Sequence, residues 1–110
     1  MLDFLYPFGY NHRMLIVKTD EYEKWYCKLG DGGARVRINV RLRRISENDY
    51  FGDCRSVGGG VYELRIDYGP GYRVYYGQSG QRIILLLIGG DKSTQQSDIK
   101  KAGEIWKANS

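Results

Sequence analysis

From Val61 onward the chain alternates with a period of two. Tyr62, Leu64 and Ile66 interleave with Glu63, Arg65 and Asp67, and then Tyr72, Val74 and Tyr76 interleave with Arg73 and Tyr75. Successive side chains of a strand point to opposite faces, so this pattern predicts two strands. Between them, Gly69-Pro70-Gly71-Tyr72 places Pro at i+1 and Gly at i+2, as a type II turn prefers. Ser79-Gly80 marks a further hairpin, and the apolar run from Arg82 to Ile88 reads as a strand near the sheet centre, ended by Gly89-Gly90. Upstream, the short apolar run from Met14 to Lys18 suits another strand.

The period changes over residues 20–29. Tyr22, Trp25, Tyr26 and Leu29 follow the i, i+3, i+4, i+7 spacing of one helical face, and Asp20 and Glu23 stand at capping-box spacing. Gly30-Asp31-Gly32-Gly33 ends that helix. The next segment supports two readings. Val36, Ile38, Val40 and Leu42 alternate as a strand would, whereas Ala34, Ile38, Leu42 and Ile45 form a helical stripe. Residues 46–60, with Asn48, Asp49, Gly52, Asp53 and three consecutive glycines, have the composition of a loop. A final helix carries Ile99, Ala102 and Trp106 on one face. Ser93 and Gln96 fit a capping box at its start and set Lys92 just ahead of the first turn.

With 110 residues, 42% of them hydrophobic, the chain suits one domain around a single core. No stretch approaches the roughly 18 apolar residues of a membrane span. Residues 1–13 are apolar and aromatic, but Asp3, Pro7 and the lack of a basic leading segment make a poor signal peptide. They read as a leader or extension, partly disordered or packed as an arm over an apolar patch, ahead of a domain spanning residues 14–110.

The net charge of +4 is modest, but its distribution is uneven. Arg35, Arg37, Arg41, Arg43 and Arg44 cluster within ten residues, which suits a polyanion, an acidic partner or simply a solvated face. Cys27 and Cys54 have no companion Cys or His at ligand spacing, so both read as free thiols with no metal site. His12 is the sole histidine and sits in the leader, which argues against histidine-based catalysis.

What remains is an arginine and lysine site. If Leu64, Ile66 and Val74 define the buried face, Arg65, Arg73 and Tyr75 project together from the other. The RNA cleavage implied by the family likeness set out next, through the 2′-hydroxyl, requires a proton acceptor, stabilisation of charge on pentavalent phosphorus, and protonation of the leaving oxygen. Arg65 and Arg73 suit the second need through charge-assisted forks; the plainer reading is two strand arginines held by Glu63 and Asp67. Lys92 is placed to meet a phosphate at a helix N-terminus. Asp98 is the nearest candidate base, Asp91, Ser93 and Gln95 are candidate substrate contacts, and Tyr75 could stack on a splayed base.

Two separated runs carry a family likeness. The run from Leu64 through Arg65, Gly69, Pro70, Gly71 and Arg73 to Tyr75, and then Gly90-Asp91-Lys92-Ser93-Thr94-Gln95 followed by Asp98-Ile99, resemble the second half of bacterial toxins of the RelE/ParE superfamily, specifically the HigB-like addiction module killer group. The likeness begins near Met14. It implies that residues 34–45 form a second helix packed antiparallel on the first. The resulting order, β-α-α-β-β-β-α, is a small α+β domain: a mainly antiparallel sheet, two N-terminal helices on one side and a C-terminal helix at its edge. It further implies RNA-contacting or catalytic roles at Arg65, Arg73 and Lys92. Some relatives carry a tyrosine or histidine where this chain has Asp98.

The activity implied is that of a metal-independent, cofactor-free mRNA endoribonuclease acting in the cytoplasm on translating ribosomes. Its implied partner is a helix-turn-helix antitoxin that neutralises it and alone contacts operator DNA. The alternatives from the same superfamily are a ParE-like gyrase inhibitor and a catalytically decayed RNA- or protein-binding module.

Overall fold

A computed structural model describes residues 14–109. The leader expected at residues 1–13 lies outside the described residues. Leu15–Lys18 form strand β1. The first helix, α1, runs Asp20–Lys28 and is capped by Thr19, whose hydroxyl oxygen accepts from the Tyr22 N–H at 3.1 Å. The expected Asp20 cap is therefore displaced by one residue, and Asp20, Glu21 and Glu23 sit in the first turn. Thr19 wins because its hydroxyl also donates to the Leu86 carbonyl at 2.8 Å, which fixes the helix start to the sheet.

Helix α2, Gly32–Asn48, resolves the two-way reading of its sequence. Ala34, Ile38, Leu42 and Ile45 are buried while Val36 and Val40 are exposed, so the helical stripe dictates the packing. Asp31 caps α2 by accepting from the Ala34 N–H at 3.1 Å, and Asp49 terminates it in the left-handed region at φ 58°.

Strands β2 (Cys54–Gly58), β3 (Val61–Ile66), β4 (Tyr72–Ser79) and β5 (Ile83–Asp91) complete one sheet in the order β1-β5-β4-β3-β2. All pairs are antiparallel except β1 with β5. Strand β2 corrects the expected loop over residues 46–60. It is an edge strand paired only with β3 and largely exposed, so it lacks the apolar alternation that marks a half-buried strand. A second correction concerns Gly89 and Gly90, which lie inside β5 rather than ending it. Side chains cross directly over both: a Cβ at Gly89 would collide with the Trp25 ring, and one at Gly90 with the Asp98 carboxylate.

The sheet is covered on both faces. Leu64, Ile66, Val74, Tyr76, Ile84 and Leu86 pack against Tyr22 of α1 and Ile38, Leu42 and Ile45 of α2. On the opposite face Val61, Tyr75, Leu87 and Ile88 pack against Ala102 and Ile105 of helix α3, Gln95–Asn109. The β4–β5 register slips by one between Tyr75 and Tyr76, a bulge that lets Leu87 and Ile88 serve the same cluster. Helix α3 thus crosses this second face, touching β3, β4 and β5, where the sequence had suggested the sheet edge. Among the described residues no helix is long and apolar enough to cross a membrane.

Candidate active site

Arg65 and Arg73 are direct cross-strand partners on β3 and β4. Like charges so placed repel, and each is offset by a carboxylate. Arg65 Nε lies 3.4 Å from Asp53 Oδ2, and Arg73 Nε lies 3.4 Å from Glu63 Oε2. Asp67, which the plainer reading set with Glu63 as a holder of these arginines, lines the cleft beside them. The Arg65 side chain is 42% exposed and that of Arg73 only 11%.

Lys92 reaches the same place from the far end of β5. It opens a single 3-10 turn, Lys92–Thr94, that leads into α3. Asp91 caps this turn, accepting from the Ser93 N–H at 2.8 Å and the Ser93 hydroxyl at 2.5 Å. The expected Ser93 and Gln96 capping box is therefore replaced by an aspartate two residues earlier. These bonds from Ser93 hold the Asp91 carboxyl below its ordinary range, with nearby Arg73 adding to the effect.

An open cleft of about 420 Å³ is lined by Arg65, Arg73 and Lys92 together with Asp53, Asp67 and the turn Gly69-Pro70-Gly71. Gly71, at φ 82°, sits between two of the cations. A Cβ there would stand 3.5 Å from both Arg73 Nη1 and Lys92 Cβ. Its carbonyl accepts from Arg73 Nη1 at 3.1 Å. The turn closes one residue earlier than its sequence suggests, through a Gly71 N–H to Tyr68 carbonyl bond of 3.1 Å.

Behind the arginines lies a buried polar network. Glu63 is fully buried. Its Oε1 accepts from Arg55 Nε at 3.0 Å; its Oε2 accepts from the Tyr75 hydroxyl at 3.0 Å and from Gln95 Nε2 at 2.9 Å. Burial pushes the Glu63 carboxyl up, but those three bonds and the Arg73 charge more than offset it, so the group lies below its ordinary range. Tyr75 does share the arginines' face, but α3 covers that part of the sheet and the ring is fully buried. It therefore presents no surface to a base, and burial together with Glu63 raises its phenol above the usual value.

Gln95 likewise turns inward to Glu63. Asp98 accepts from the Thr94 hydroxyl at 2.5 Å and lies over Gly90, the register partner of Arg73, rather than on the cleft lining. Of the residues singled out from sequence, Arg65, Arg73 and Lys92 converge on the cleft; Asp91 and Ser93 form the capped turn that carries Lys92, and Asp98 sits over Gly90; Tyr75 and Gln95 belong to the buried network. Sequence reasoning missed Asp53, Arg55 and the central place of Glu63. The available signal was that Glu63, Arg65 and Arg73 fall on one face by strand period alone.

The α2 arginines are largely occupied within the molecule. Arg41 donates to the carbonyls of Arg65, Phe51 and Asp53, the latter two at 2.8 and 3.0 Å. Arg37 lies over the Tyr68 ring at 4.1 Å, and Arg35 donates to the Leu29 carbonyl. Among the described residues, no group of three or more His, Cys, Asp or Glu side chains is arranged to hold a metal ion.

Against known proteins, no family model matches the chain. A Haemophilus influenzae protein, described only as an uncharacterized protein, is 46% identical over 87 residues, covering 79% of this chain and 87% of its own length. The chain belongs to the family of that Haemophilus protein. Among solved structures, a free-state arginine-to-alanine double mutant of the E. coli toxin RelE superposes with a TM-score of 0.66 at 16% identity. The match covers 83% of this chain and 94% of that one, so the fold is RelE-like.

Proposed function

We propose that this chain is the toxin of a HigB-like toxin–antitoxin module, an endoribonuclease that cleaves mRNA in the cytoplasm, with the ribosome as its platform. The convergence of Arg65, Arg73 and Lys92 on one cleft carries the reading, and the RelE-like fold supports it. Three cations around one opening suit a phosphate whose negative charge grows as the 2′-oxygen attacks, and fixed donors lower that barrier without reorganising. Arg73 and Arg65 are assigned to the equatorial oxygens and Lys92 to the leaving 5′-oxygen.

Glu63 is a poor base, since its oxygens already accept from Arg55, Tyr75 and Gln95. Asp98 lies across Gly90 from Arg73 but off the cleft lining, and it already accepts from the Thr94 hydroxyl, so it is a remote candidate for the 2′-hydroxyl proton. Asp91 and Ser93 hold the turn that presents Lys92. No metal or cofactor is needed for these roles. A helix-turn-helix antitoxin completes the proposal as the neutralising partner and the sole contact to operator DNA.

Brief induction followed by primer extension on cellular mRNAs tests this directly. Wild-type protein should arrest growth and create new 5′ ends within coding regions, and Arg73→Ala or Lys92→Ala should each reduce cleavage by about 10² to 10³-fold. Growth arrest without new mRNA ends, accompanied by accumulated gyrase–DNA breaks, would overturn the nuclease reading in favour of a ParE-like activity.

A further inference from the structure

We infer that Glu63 is a positioning residue that pins the Arg73 guanidinium at the floor of the cleft; the inference rests on reading that cleft as a phosphate site. Glutamate is almost never fully buried unless it is paired, and here four side chains converge on it. They come from three other elements: Arg55 from β2, Arg73 and Tyr75 from β4, and Gln95 from α3. Arg73 is held by one hydrogen bond, from Nη1 to the Gly71 carbonyl, and by an ion pair in which its buried Nε lies 3.4 Å from Glu63 Oε2 without a hydrogen bond. The ion pair and the single hydrogen bond together restrict a long side chain that would otherwise rotate freely.

The choice of a carboxylate argues for positioning over affinity. A buried negative charge beside Arg73 offsets part of the attraction a phosphate would feel, and well-packed apolar groups commonly stabilise a core as well as a buried ion pair does. What the carboxylate adds is direction. Donors fixed before substrate arrives need no rearrangement as charge develops, and a misplacement of about 1 Å can cost about 10²-fold in rate.

The test follows the Arg73 Nε–H resonance in ¹⁵N-labelled protein. Arg55, Arg73 and Tyr75 face Glu63, with Asp98 beyond Tyr75 and Asp91 beyond Arg73, so the acid titration is read at Arg73 itself. In the wild type this proton should exchange slowly with water. Its shift should move with a midpoint below the ordinary glutamate value of about 4.3, and that step should be absent from Glu63→Gln while any movement due to Asp91 beside Arg73 remains. In Glu63→Gln, slow exchange should be lost, and kcat on an RNA substrate should fall about 10²-fold with KM little changed. An Arg73 signal unchanged in Glu63→Gln, or indifferent to acid in the wild type, would overturn the inference. If Glu63→Gln does not fold, the Arg73 titration in Asp91→Asn decides the matter, since the second depressed carboxyl beside Arg73 is then removed. A wild type that cleaves no RNA would refute the nuclease reading, while the Arg73 resonance would still judge the role of Glu63.

Discussion

Gly77→Ala should unfasten helix α3 through one methyl group. Gly77 pairs with Val61 in the sheet, and the six-membered ring of Trp106 rests directly on it; an added Cβ would lie 2.8 Å from Trp106 Cδ2 and closer still to Cε3 and Cζ3. Trp106 also lies close over Gly60 in the β2–β3 turn, where an added Cβ would meet its Nε1 at 2.6 Å, so the ring has little room to slide that way. The ring must lift away. A tryptophan buries roughly 150 to 250 Å², and Trp106 is only partly buried, so about 100 Å² is lost. At about 25 cal/mol per Å² this is about 2.5 kcal/mol, or a fall in Tm of about 10 °C or more in a domain of this size.

The control is the same substitution in a Trp106→Ala background. With the ring gone, alanine is the better strand residue and Gly77→Ala should stabilise by about 0.5 to 1 kcal/mol. Urea midpoints of the four proteins, followed by circular dichroism, give the coupling energy. Equal costs in both backgrounds would show that α3 does not lie over this face of the sheet.

Three further outcomes are expected. Arg41→Lys should destabilise by about 1 to 3 kcal/mol in thermal melts, because one ammonium cannot reproduce the fork that serves the carbonyls of Arg65, Phe51 and Asp53. Tyr22→Phe should be neutral or stabilising by about 1 kcal/mol, since the buried Tyr22 hydroxyl has no hydrogen-bond partner among the described residues. The Glu63 carboxyl is depressed in the fold, so its stabilisation is fully present above the unfolded value of about 4.3 and is lost as pH falls through the lower folded value. Urea midpoints from pH 6 to pH 3 should therefore drop more steeply in the wild type than in Glu63→Gln.

The sequence was most legible where one period ruled. The two-residue period of Tyr62 to Ile66 and Tyr72 to Tyr76 places β3 and β4 and sets Arg65 against Arg73. The helical stripe of Ala34, Ile38, Leu42 and Ile45 was equally present, but period alone could not rank it above the competing alternation, and the family likeness decided the reading. Strand β2 was hidden because an edge strand needs no apolar face, and its loop-like residues conceal a ladder made by the backbone. Gly89 and Gly90 looked like a stop signal because glycine also marks close approach, and only the fold reveals Trp25 and Asp98 above them. Tyr75 was misjudged for a related reason: period fixes which face it is on but not whether a distant helix covers that face. Glu63 lay within reach by the same period, yet its burial depends on α3 and β2 closing over it.

Whether the cleft breaks RNA by 2′-hydroxyl attack is the central question, and cleavage of a defined RNA by the purified protein in excess EDTA addresses it most directly. The assignment of charge stabilisation to Arg65, Arg73 and Lys92 predicts that cleavage persists and leaves a 2′,3′-cyclic phosphate or 3′-phosphate end. A substrate with a single 2′-deoxy group at the cut site should bind and survive. Loss of cleavage in EDTA, or cutting of the 2′-deoxy substrate at the same bond, would contradict the account.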